Sequence, residues 1–160
     1  MKHVTLKSIE KAIDKIDNLD DEGLEKVSET FALAQQDLLG YLMSAAMEYK
    51  NEKLEGLIIY YFCLISEAFQ QEKIVNRAVT NEDIDELEEP FFEALDEYFE
   101  AENEEILENF CDQPDLTRFM SMEVSMKDED GTELDDETAT QLFIVTLAMI
   151  TLMNRTQKDA

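Results

Sequence analysis

The segment MKDEDGTELDDE, from Met126 to Glu137, gathers carboxylates around a single glycine, a pattern with the length of the twelve-residue calcium loop of an EF-hand. With Gly131 at loop position six, Asp128 falls at position three, Asp130 at five and Glu137 at twelve, where such a loop places oxygen ligands. Position one, which should supply an aspartate oxygen, is Met126, and position eight, normally aliphatic, is Glu133. A hard cation loses a ligand, the paired loop loses its anchor, and no second copy of the motif exists. The segment therefore reads as a solvated Asp-Gly turn, with weak divalent-cation binding at Asp128, Asp130 and Glu137 as the alternative.

A second acidic group is denser. Between Arg77 and Arg118 the chain has no Lys or Arg, while 16 Asp and Glu fall between Glu82 and Asp115. On a helix that starts at Pro90, with Phe91 set at 0°, Leu95, Tyr98, Phe99 and Phe92 lie at about 40°, 340°, 80° and 100°. Asp96, Glu89, Glu100, Glu93 and Glu97 lie at about 140°, 160°, 180°, 200° and 240°. One face is aromatic and the other acidic. Like charges three or four residues apart repel by a few tenths of a kcal/mol each. A face of five acids with no interleaved lysine is thus a candidate array for a basic protein partner.

Other chemistry lacks its parts. The only histidine, His3, sits beside the N-terminus, so neither a Ser-His-Asp set, a Cys-His pair nor a multi-histidine metal centre can be assembled. There is no GxGxxG, P-loop or HExxH motif, and no ExxH pair for a di-iron centre. No cofactor is implied. An enzyme working with two carboxylates stays open as an alternative, but 39 acids offer too many chance pairs to single one out. The leading expectation is a non-enzymatic interaction or inhibitor-type module.

Charge placement supports that order. Residues 1–80 hold 14 acids and 9 bases, net −5, and residues 81–160 hold 25 acids and 4 bases, net −21. Such a half repels nucleic acid and anionic membranes and attracts cations and basic proteins. The N-terminal MKHVTLKSIEKAIDKI has no continuous apolar stretch of the kind a signal peptide carries, so a cytoplasmic protein is expected. Two cysteines without a CxxC pair agree: Cys63 within an apolar run reads as buried, Cys111 before Asp112 as near the surface.

The elements that must carry these residues are helical. Four Gly and two Pro are too few for many strands and tight turns, and 44% hydrophobic content suffices for one core over residues 1–160. Leu6, Ile9, Ile13 and Ile16 form one seam behind a Thr5 cap, with Lys7, Lys11 and Lys15 as a basic stripe on another side. Such a stripe is either solvated or offsets part of the acidic half. The periodic positions Leu24 to Tyr49 predict one long helix with Gly40 as its weak point, and GLIIYYFCLISEAF from Gly56 predicts a buried helix. Thr80 and Asp83 approach a capping box, and Pro90 suits the first turn of a new helix. Phe119 to Met126 alternates as a short strand or extended loop, continuing to a turn near residue 133.

Asp135 can cap a last helix bearing QLFIVTLAMITLMNR. Its apolar stretch, Leu142 to Met153, makes about 18 Å of helix, short of the roughly 30 Å of a bilayer core. It reads as core, bulky nearly all round except for a slimmer side of Thr140, Gln141, Ala148 and Thr151, joined by Ile144. That side is left to solvent, to the Leu57–Ile65 helix or to a second copy of the chain. The fold expected is a single all-α bundle of five to seven helices, with Leu57–Ile65 and Leu142–Met153 at its centre.

Overall fold

A computed structural model describes residues 2–125 and 135–158. Within them the chain forms eight helices: α1 (Leu6–Asp17), α2 (Asp21–Ala34), α3 (Gln36–Tyr49), α4 (Glu52–Gln71), α5 (Asn81–Ala101), α6 (Glu104–Cys111), α7 (Pro114–Ser125) and α8 (Asp136–Arg155). Side chains cap several of them. Thr5 accepts from the Ser8 N–H, Asp20 from Gly23 and Asp135 from Thr138. Thr80 and Asp83 complete a reciprocal capping box at α5.

Two helices act as hubs. α4 packs against α1, α2, α3 and α8, and α8 packs against α3, α4, α5, α6 and α7. The run from Phe62 to Phe69 is buried without a break, and so is Gln141 to Asn154 apart from half-buried Ile144. Both helices that bear the apolar runs are therefore central, but the expected run Leu57–Ile65 is not buried throughout: Leu57, Tyr60 and Tyr61 are half-buried and Ile59 is 41% exposed, while α2, which buries no residue fully, lies at the edge.

Five expectations about the elements are corrected, the first being their number: the described residues form eight helices where five to seven are expected. The long periodic stretch is two helices, and the break falls at Gln35 (φ −136°, ψ 54°), not at Gly40, which sits in α3 facing open space. The buried Gln35 amide explains this: it donates to the Arg77 carbonyl at 3.1 Å and accepts from the Val79 N–H at 2.8 Å, tying the α4–α5 connection down. Pro90 does not begin a helix but lies inside α5, where its exposed position lets water serve the Glu86 carbonyl that loses its donor. Phe119 to Ser125 is neither strand nor loop but the end of α7. Pro114 opens that helix, and burial of Leu116 and Met120 with Met122 64% exposed follows a period near four rather than two. Cys111 is not near the surface; it is fully buried, like Cys63.

The slimmer side of α8 is mostly covered within the chain itself. Thr151, Ala148 and Gln141 are buried, Thr140 is exposed, and Ile144 is half-buried. Of the basic stripe, Lys15 pairs at 3.0 Å with Glu67, a 2%-exposed carboxylate on α4 that also accepts from Gln71. Lys15 thus offsets a buried acid of the first half, not the acidic half.

Side-chain amides close the ends of the structure. Gln113, buried between α6 and α7, accepts from the Val4 N–H at 2.7 Å and donates to the Lys2 carbonyl and Asn154 Oδ1, each at 2.8 Å. Gln157 makes a similar pair of bonds to Lys2. The residues before α5 join them, because Arg77 N–H donates to Thr156 and Lys158 N–H to Val75. Gln113→Leu keeps the volume but leaves Val4 N–H without its partner and strips a bond from Asn154. It is expected to cost about 2–3 kcal/mol in urea unfolding, against under about 1 kcal/mol for Gln157→Leu at the half-buried position.

Candidate functional site

α5 is the element on which the acidic face depends. Ile84, Leu87, Phe91, Ala94 and Leu95 are its buried residues and define the side turned to the core. Glu89, Glu93, Asp96, Glu97 and Glu100 lie opposite, and all five are exposed. Among the described residues none of them has an ion-pair or side-chain hydrogen-bond partner. The cations of this region are engaged elsewhere. Arg77 forks onto both Asp83 oxygens at 2.7 and 2.8 Å, Arg118 pairs with Glu108 and lies 3.8 Å from Asp115, and the Arg155 guanidinium sits 5.2 Å from the centre of the Phe110 ring. Arg77 and the Thr80 cap hold the Asp83 carboxyl well below the ordinary carboxylate range.

The aromatic side of α5 is not one surface. Phe91 is 1% exposed, whereas Phe92 and Phe99 are 51% and 50% exposed. Helical geometry gives the reason: the buried residues centre near 0°, and these two rings stand about 80–100° away, at the border with the acids. Sequence spacing grouped them with Phe91, and only the width of the covered stripe separates them.

Of the proposed cation ligands Asp128, Asp130 and Glu137, only Glu137 is among the described residues. Asp128 and Asp130 lie outside them, and Glu137, exposed in the first turn of α8, accepts from Gln141 at 3.3 Å. No group of three or more His, Cys, Asp or Glu in the described residues is placed to hold a metal ion.

A feature that the sequence did not disclose lies next to the acidic face. α3, α5 and α8 leave an open groove of about 350 Å³ between them. Phe91, Val145 and Ala148 line it as buried apolar surface, and Tyr41, Tyr49, Glu48 and Glu88 bring polar atoms to it. Burial, then Glu88, Tyr49 and Glu48, push the Tyr41 hydroxyl up to about 12. Carboxylates from two helices therefore act on one phenol. The spacing of Tyr41, Ala45 and Glu48 marks one face of α3, but nothing in the sequence states that this face meets Glu88 and Phe92.

No protein-family model, curated protein or solved structure matches the chain. Its residues alone carry the functional reading.

Two outcomes follow from this geometry. Phe91→Ala should cost about 3–4 kcal/mol of stability, while Phe92→Ser and Phe99→Ser should each cost under about 1.5 kcal/mol, read by thermal or urea unfolding. A tyrosine whose folded pKa is raised stabilises the fold fully below the unfolded value near 10, and that contribution is lost as pH rises towards the folded value. The difference in phenolate absorbance between wild type and Tyr41→Phe should show Tyr41 ionising near 12, with unfolding free energy falling above pH about 10.

Proposed function

We propose that the chain is a non-enzymatic binding module that captures a basic protein through the outer face of α5. The observation that carries this reading is the pairing of five exposed, uncompensated carboxylates with two half-exposed phenyl rings along their border. Leu33, Met47 and Met122 are more exposed elsewhere; what distinguishes Phe92 and Phe99 is that both stand on one helix at the border of the acids, where burial by a partner would recover about 25 cal/mol for each Å². Together the rings supply an apolar anchor and the acids supply long-range steering, the two components of a charge-complementary interface. The net −21 of residues 81–160 favours a basic partner over nucleic acid or an anionic membrane. Among the described residues no helix is long and apolar enough to cross a membrane. A cytosolic setting goes with this reading, because both cysteines are buried free thiols.

Catalysis by a carboxylate pair gains less support. Glu48 and Glu88 do line one groove, but both are solvent-exposed, and dividing acid and base roles requires surroundings that differ.

The test uses immobilised wild type, the neutralised variant E89Q/E93Q/D96N/E97Q/E100Q and the variant F92S/F99S in native lysate. A basic protein is expected on the wild type, released by salt and lost from both variants. Capture that persists on F92S/F99S would mark generic ion exchange, and absence of any salt-sensitive basic protein would count against the module.

A further inference from the structure

The groove between α3, α5 and α8 adds a recognition element to that face. Its floor is apolar, and besides the Ser44 hydroxyl four polar groups surround it: the Tyr41 and Tyr49 hydroxyls and the Glu48 and Glu88 carboxylates. None of the four has a hydrogen-bond or ion-pair partner among the described residues, and none of the residues lining the groove is cationic. An anionic ligand would meet two carboxylates without a counter-charge. A neutral apolar ligand would take the floor and leave both acids unused. A cation on an alkyl stem uses every part: aromatic faces and carboxylates attract the head, and the stem covers the floor.

We propose that this groove is the socket for a Lys or Arg side chain of the basic protein partner, presented beside a large apolar residue on an amphipathic segment. The inference rests on the reading that the outer face of α5 binds such a partner. Continuity of the surface selects a protein segment over a free amine. Phe92 lines the groove and also belongs to the exposed ridge, and Phe99 lies about 10 Å further along the same helix at 1.5 Å per residue. A small amine would fill the groove and leave the ridge bare, while a segment laid along α5 covers both. The volume, about 350 Å³, admits one long side chain and its neighbour rather than a whole helix.

The chain contains no Trp, so a Trp placed in a peptide reports binding without background. The probe is an amphipathic peptide of about 15 residues, Leu and Lys with a single Trp, long enough for roughly four helical turns. Its fluorescence anisotropy is followed with wild type, E48Q/E88Q, A45F, which fills the groove, and the neutralised α5 face E89Q/E93Q/D96N/E97Q/E100Q. Circular dichroism melts check folding. E48Q/E88Q changes only exposed side chains, so it remains informative if A45F unfolds.

The socket predicts that E48Q/E88Q and A45F each weaken peptide binding by about tenfold or more. It also predicts that replacing the peptide's Lys by Gln abolishes binding. If both groove variants bind like wild type while the neutralised α5 face does not, the socket is wrong and the α5 reading stands. If neither wild type nor any variant binds the peptide, the socket is overturned, and lysate capture decides the α5 reading on its own. Phenethylamine, tested by its effect on tyrosine fluorescence, provides the last arm. Binding of the amine that is sensitive to E48Q/E88Q, with no peptide binding, would make the groove a small-amine site and overturn the proposal.

Discussion

The arrangement of the molecule depends on the fact that α8 has almost no side fit for water. A helix whose large side chains point in nearly every direction must be enclosed, and α3 to α7 all contribute to that enclosure. Enclosure fixes α5 with one stripe against the core and the rest of its circumference free, which is how its acids come to share one outward face. It also explains the groove. Where α8 presents Ala148 and α3 presents Ala45, the small side chains cannot fill the space between three round cylinders, and a channel remains.

Electrostatics then act on a scaffold already set by packing. With 39 acids against 13 bases, the fold gains when each cation serves a definite local purpose, and the described arginines do. Arg77 braces the α5 cap, Arg118 steadies the α6–α7 pair, and Arg155 covers an aromatic ring. Burial of Glu67 is tolerated because Lys15 and Gln71 both reach it. What is left over is the α5 face, where repulsion between neighbours goes unrelieved. A basic surface arriving there would relieve it, so the same charges that strain the free chain favour a complex.

Much of this was legible in the sequence because it depends on local rules. Thr5, Thr80 and Asp135 cap the helices that their positions announce, and the helices bearing the runs from Leu57 and Leu142 lie at the centre. Errors arose where a tertiary partner outweighs local preference. Gln35 is an ordinary helix former, and only its bonds to Arg77 and Val79 make it a break. Pro90 suits a first turn by local rules, and it lies inside α5 because the carbonyl it deprives faces water, a fact invisible in one dimension. The alternation after Phe119 was incidental to a helix seated on α8. The acidic face was readable by angle, yet its aromatic border was not, since angle alone does not say how wide a stripe the core will cover. The groove was out of reach because it joins residues from three distant segments. The Asp128 and Asp130 part of the cation loop lies outside the described residues.

The amide bonds of Gln113 and Gln157 to Lys2 span 111 and 155 positions in the chain. Closing loops of that size costs conformational entropy that no local contact returns, so these bonds follow the assembly of α4, α8 and their neighbours. Interactions that form after the folding barrier do little for the speed of folding and much against the speed of unfolding. The clasp at the chain ends is thus a brake on opening: its strength sets how long a folded molecule lasts rather than how soon it forms.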